Sequence, residues 1–98
     1  VKARPIGGFR LLDHAEADDK IIAVLKNDMV YGDYTDIRQL PQPIINRLIH
    51  YFTTYKDLPS DLKQRMVLTD IYGCEVAYEV INRAIDDYNQ EIAHRLEE

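Results

Sequence analysis

Cysteine is nearly missing from this chain: Cys74 is the only one. A lone thiol excludes an internal disulfide and points to a reducing compartment, the cytoplasm. Long hydrophobic runs are missing too. No stretch approaches the roughly 18 apolar residues of a membrane span, so no membrane partner is expected. Cations are in deficit, with 12 Lys and Arg against 17 Asp and Glu and a net charge of -5. That balance argues against a nucleic-acid partner. There is no Walker phosphate loop, dinucleotide fingerprint or zinc-ligand cluster. His14, His50 and His94 share no ligand spacing. Repeats and low-complexity segments are absent as well. No signal peptide is visible, and a start at Val1 inside an apparent strand is what a processed or truncated product would show.

What is present is unevenly charged. Residues 1–56 carry eight Lys and Arg and seven Asp and Glu, whereas residues 57–98 carry four and ten. The first part keeps enough cations for an anionic ligand, while the tail reads as a solvated acidic surface. Ninety-eight residues allow one domain at most, spanning 1–98, and a domain this small leans on partners for stability. The densest feature is Asp13-His14-Ala15-Glu16-Ala17-Asp18-Asp19-Lys20, an acidic segment closed by a lysine. It reads as a loop between β-like runs at 6–12 and 21–25. Crowded carboxylates repel, and a loop that tolerates them often binds a cation. Aspartates with no soft ligand nearby suit a hard ion such as Mg²⁺.

The remaining organisation is α+β. Gly7-Gly8 predicts a bulge or close backbone approach within the first strand. Residues 28–39 read as irregular. Leu40-Pro41-Gln42-Pro43 predicts a helix start, since amides in the first turn have no intrahelical acceptor to lose. Ile44, Ile45, Leu48, Ile49 and Phe52 give that helix an apolar stripe, and it should end near Tyr55. Arg65 to Tyr72 reads as a strand closed by Gly73. A second helix runs from about Cys74 to Arg95, with Val76, Ala77, Val80, Ile81, Ala84, Ile85, Tyr88, Ile92 and Leu96 on one face.

Each candidate site residue has a bland alternative. Asp13 and Asp18 are the metal-ligand candidates; the alternative is a solvated turn. Glu16 and Asp19 are weaker candidates, since both can simply face water. Lys20 lies two beyond Asp18, so in extended chain the two share a side. It can hold a phosphate oxygen beside the metal, or form a surface ion pair worth at most about 1 kcal/mol. Tyr55 and Lys56 sit where the first helix ends. They can donate to a phosphate, or serve as a packed phenol and a helix-end cation. Arg4 is an anion candidate or a solvated terminal cation. Cys74 reads as a small buried side chain, not a nucleophile.

Taken together, these pieces resemble the C-terminal portion of the soluble family I inorganic pyrophosphatases. Arg4-Pro5-Ile6-Gly7 is similar to the family strand leading to the metal-binding loop. Asp13, Asp18 and Lys20 match its D-x4-D-x-K segment, and Tyr55-Lys56-Asp57 matches its YKD on a helix with a Leu-Pro start. Segment 65–73 and the last helix are similar to the family's ending. The resemblance implies a distorted five-stranded OB-like β-barrel, incomplete here, with two packed helices. It implies Mg²⁺-dependent hydrolysis of pyrophosphate to two phosphates. Asp13 and Asp18 would then be metal ligands, and Lys20, Tyr55 and Lys56 contacts to pyrophosphate or phosphate. It also implies a homo-oligomer for the complete protein.

The family's upstream D-x-D-x-x-D segment and first barrel strands have no counterpart here, and Leu25 stands where the family commonly has Pro. The 98 residues are therefore expected to be part of a larger inorganic diphosphatase and to be inactive, or nearly so, alone. A barrel opened in this way leaves unpaired edges. The alternative is a non-catalytic interaction or oligomerisation module that uses the open sheet edge and the apolar helix faces. A third reading, an OB-like nucleic-acid binder, needs a basic aromatic sheet face, which the acidic segment opposes.

Overall fold

The computed structural model describes residues 2–13, 16–54 and 67–97. Strands β1 (Ala3–Asp13) and β2 (Glu16–Leu25) form a long antiparallel hairpin. Strand β3 (Val67–Gly73) pairs antiparallel with the other edge of β1, giving the order β2-β1-β3. Two α-helices, α1 (Gln42–Thr53) and α2 (Cys74–Glu97), complete an α+β architecture. Among the described residues the sheet stays open at β2 and β3, as an incomplete barrel should.

The acidic segment is strand for most of its length, which corrects the loop expected between 12 and 21. Glu16 to Lys20 belong to β2 and pair with β1 from Phe9 to Asp13. The physical reason is alternation. Successive side chains in a strand go to opposite faces, so neighbouring carboxylates at 18 and 19 separate. Each then meets a cation: Asp18 meets Lys20 at 2.8 Å, and Asp19 meets Arg10 at 3.1 Å. The segment therefore has a second counter-ion, Arg10, directly opposite Asp19 in the register.

The expected irregularity at the glycines is present as a register shift between Pro5 and Gly7. It turns Ile6 into the core, where it is fully buried with Phe9. Gly7 is required by close approach: a Cβ there would lie 2.5 Å from the Tyr72 carbonyl oxygen and 2.6 Å from Ile37 Cγ2.

Helix α1 starts as read, within two residues. Pro41 caps it, and its carbonyl accepts the Ile44 and Ile45 amides. Ile45 is buried, and Ile44, Leu48, Ile49 and Phe52 pack on the cluster of Ile6, Phe9, Val24, Ile37 and Leu40. The stripe thus seats α1 on one sheet face. The helix ends at Thr53, two residues before the expected Tyr55.

Two parts of the reading change. Residues 28–39 are not wholly irregular, because a 3₁₀ turn occupies Ile37–Gln39 with Asp36 as its cap. The apolar face read for α2 is only partly used. Ala77 is buried, but Ile85, Tyr88, Ile92 and Leu96 are exposed. The helix is longer than the sheet edge it starts from, so its later turns leave the core. No described helix is long and apolar enough to cross a membrane.

Candidate functional site

The β1–β2 register sorts the candidate residues by face. Phe9 is opposite Lys20 and Leu11 is opposite Asp18. Directly opposed residues share a face, so Asp18 and Lys20 lie on the face that carries the buried Phe9 and Leu11. They sit at its rim, with side chains 39% and 37% exposed, and their ion pair spans 2.8 Å. The surface ion pair weighed for Lys20 is therefore present. Asp13 is in register with Glu16, two positions beyond the Leu11–Asp18 pair. Positions two apart share a face, which puts Asp13 on the same face as Asp18 and Lys20.

Tyr55 and Lys56 lie outside the described residues. The helix that leads to them does not. Phe52, in the last turn of α1, stands with its ring centroid 6.0 Å from that of Phe9. Thr53 closes the turn by donating its hydroxyl to the Ile49 carbonyl at 2.7 Å. The chain therefore leaves α1 above Phe9, the residue opposite Lys20. Arg4 is not a solvated terminal cation: it donates to the carbonyls of Gly32 and Tyr34 at 2.9 and 3.1 Å and ties the 26–35 excursion to β1.

The other sheet face holds a network that the sequence reading missed. Tyr72 on β3 is opposite Gly8. Its phenol passes over that glycine, where a Cβ would lie 2.6 Å from the ring. It reaches Asp19 on β2 and donates to Oδ1 at 2.9 Å. Arg10 donates to the same oxygen at 3.1 Å and lies 5.4 Å from the Tyr72 ring centroid. Burial first, then the neighbouring Asp19 carboxylate, pushes the phenol well above the ordinary tyrosine range. The signal lies in the ladder, where Arg10 and Asp19 are directly opposite.

Beside this network, Asp19, Ile21, Val80, Ile81, Ala84, Ile85 and Tyr88 line a groove of about 490 Å³. Since Asp19 and Ile21 alternate with Asp18 and Lys20, the groove lies on the opposite face from the candidate site.

Asp36 is the other missed residue. Its carboxylate accepts from the Arg38 amide at 2.9 Å, from the Arg38 guanidinium at 2.7 and 2.8 Å, and from the Cys74 amide at 3.1 Å. The guanidinium, above all, holds it well below the usual carboxylate range. Cys74 is half-buried; desolvation and the nearby Asp36 raise its thiol, which suits an inert side chain.

A family model described as inorganic pyrophosphatase matches residues 1–89. An inorganic pyrophosphatase of Chlamydia trachomatis is 47% identical over 92 residues, covering 90% of this chain and 44% of the relative. Soluble inorganic pyrophosphatase 1 of Arabidopsis thaliana is 35% identical over 96 residues, covering 98% and 44%. Soluble inorganic pyrophosphatase 2 of Chlamydomonas reinhardtii is 34% identical over 95 residues, covering 97% and 48%. The chain spans less than half the length of these relatives.

Proposed function

This chain belongs to the inorganic pyrophosphatase family, and on that premise we propose that it supplies part of a metal-dependent site that hydrolyses pyrophosphate to two phosphates. In this proposal Asp13 and Asp18 hold the cation, and Lys20, Tyr55 and Lys56 hold the oxyanion. The observation that carries it is the hairpin register, which assigns Asp13, Asp18 and Lys20 to one face, with the end of α1 above the same face.

The donor set fits a hard divalent ion. Carboxylates at 13 and 18 are hard oxygen ligands, and among the described residues no group of three or more His, Cys, Asp or Glu side chains gathers to hold a metal. Mg²⁺ commonly takes one or two carboxylates and completes its shell with water and phosphate oxygens. When bound, such an ion supplies charge neutralisation and an acidified water for in-line attack on phosphorus. The residues of this chain bind and orient. The carboxylates fix the cation, and the Lys20 and Lys56 ammonium groups with the Tyr55 hydroxyl hold phosphoryl oxygens. Attack by the water oxygen breaks the bridging P–O bond, and the displaced phosphate leaves with the bridging oxygen.

Calorimetric titration tests the site. The full chain should give heat with Mg²⁺, and Asp13→Asn should weaken it by about tenfold or more. Lys56→Ala should weaken inorganic phosphate binding with Mg²⁺ unaffected. Both variants behaving like the parent would end this reading. The 98 residues alone should turn over pyrophosphate poorly, because the site is shared with residues beyond those matched here. A turnover near that of a full-length relative would refute that part.

A second role is favoured by α2. Ile85, Tyr88 and Ile92 are exposed along a helix whose first turns alone are packed, and the sheet edges at β2 and β3 are open. These surfaces suit assembly into a cytoplasmic homo-oligomer of the complete protein, and light scattering of the complete protein decides it.

A further inference from the structure

From Asn82 to Leu96 every residue of α2 is exposed. An isolated helix of about 15 residues is marginal in water, and helices in proteins are held mainly by packing an apolar face. Such a face is present. At 3.6 residues per turn, Tyr78, Ile81, Ile85, Tyr88, Ile92 and Leu96 fall within about 80° of arc. Glu79, Arg83, Asp86 and Asp87 all lie outside that band. Its flanks are Asn82 and Asn89 on one side and Ala77, Ala84 and Arg95 on the other. The acidic residues of the helix therefore do not stand in the way of a second acidic helix. Ile81, Ile85, Tyr88 and Ile92 are spaced four, three and four apart. That spacing reads the same in either direction. Two antiparallel copies centred between Asp86 and Asp87 lay Ile81 on the second copy's Ile92 and Ile85 on its Tyr88, and the reverse. Such a contact is isologous, and the two helix dipoles oppose, which is favourable.

We infer that α2 is a self-pairing helix: two copies of this chain join through an antiparallel α2–α2 seam, each seating its last turns in the groove that α2 and β2 form on the other. The inference rests on the assembly reading above and names its surface, orientation and register. The groove of about 490 Å³ sits at the packed half of the helix, around Ile21, Ile81, Ala84 and Ile85. The antiparallel register brings the second copy's Ile92 beside Ile81, and so into this groove. A parallel pair would set groove against groove and free turn against free turn. Charge agrees with the antiparallel choice. Asp19 is the only charged residue lining the groove, and the turn that enters carries Arg95. The Arg95 side chain is 72% exposed and is kept beside the seam by Glu91 at 2.6 Å.

The test is sedimentation velocity on the full chain over about 0.01–1 mM, where an association of moderate affinity is visible. The parent should dimerise. Ile85→Asp should weaken the dimer about a hundredfold or more, because each dimer loses two isoleucines from its seam. Gln90→Asp adds the same charge outside the band and should leave the dimer unchanged. Orientation is read by disulfide trapping. With Cys74→Ser as background, a mixture of Ile81→Cys and Ile92→Cys chains should form the mixed 81–92 disulfide in preference to either like pair. A dimer that ignores Ile85→Asp, or that traps 81 with 81, overturns the antiparallel seam and spares assembly through another surface. A parent chain that stays monomeric overturns the seam. If α2 amides are then protected from exchange in the complete protein, the face belongs to the rest of that protein. If the complete protein is itself monomeric, the assembly reading falls as well.

Discussion

Replacing Asp36 by Asn should destabilise the chain at neutral pH, and the loss should shrink in acid. The Asp36 side chain is 13% exposed and gathers four donors. Two come from the Arg38 guanidinium, one from the Arg38 amide in the 3₁₀ turn, and one from the Cys74 amide that opens α2. The carboxylate therefore caps two elements at once and ties the 26–41 excursion to the C-terminal helix. Gly73 fits beneath this cluster, since a Cβ there would stand 2.6 Å from Asp36 Oδ2. Loss of a cap costs about 0.5–2 kcal/mol. Asn keeps one acceptor oxygen but neither the charge nor the bidentate pairing, so about 1–2 kcal/mol is expected. For a domain of this size that is roughly 5–15 °C in Tm. The folded-state carboxyl is held well below its unfolded value, so its contribution is fully present above the unfolded pKa of about 3.9, starts to fall there, and is lost completely only as pH drops through the folded pKa. Urea unfolding followed by circular dichroism at neutral pH and at about pH 2–3 would measure both. The gap between parent and variant should be full at neutral pH and narrower at about pH 2–3. A variant as stable as the parent at neutral pH, or a gap that does not narrow in acid, would refute the capping argument.

Other expectations follow from the sheet. Gly7→Ala should cost more than Gly8→Ala, because the added Cβ meets the fixed Tyr72 carbonyl at 2.5 Å in the first case and a movable ring in the second. Thermal melts should rank them, with the overpacked Gly7 variant down by about 1–3 kcal/mol or more. Tyr72→Phe should remove the tyrosine that ionises last in an ultraviolet titration. The folded phenol is held above its unfolded value, so the parent loses stability as pH rises above about 10, while the variant loses less there. Phe52→Ala should lower stability by about 2 kcal/mol and also weaken phosphate binding, by loosening the helix end that leads to Tyr55 and Lys56. A purely structural Phe52 would leave phosphate affinity unchanged in the folded variant.

The sequence was most legible where one face does one job. The α1 stripe at 44, 45, 48, 49 and 52 packs as a stripe should, because a helix with a single apolar side has one way to bury it. The glycine pair announced its bulge for a similar reason: little else tolerates a 2.5 Å approach of another backbone. The acidic segment was misread because clustered charge signals a loop only while the counter-ions are out of sight. Arg10 is nine residues from Asp19 in sequence and directly opposite it in the ladder. Its role is a property of register, and register depends on where the hairpin turns. The α2 stripe was misread for the opposite reason. Periodicity reports that a face is apolar, not that something inside the same chain covers it, and Ile85, Tyr88 and Ile92 remain exposed. Asp36 was legible only in part: its cap with Arg38 and Gln39 is local, but its bond to the Cys74 amide spans 38 residues. The candidate site falls between these cases. Local spacing put Asp18 and Lys20 on one side of an extended segment, but only the cross-strand pairing with β1 brings Asp13 to the same face. The hairpin therefore joins what the sequence could only place in order.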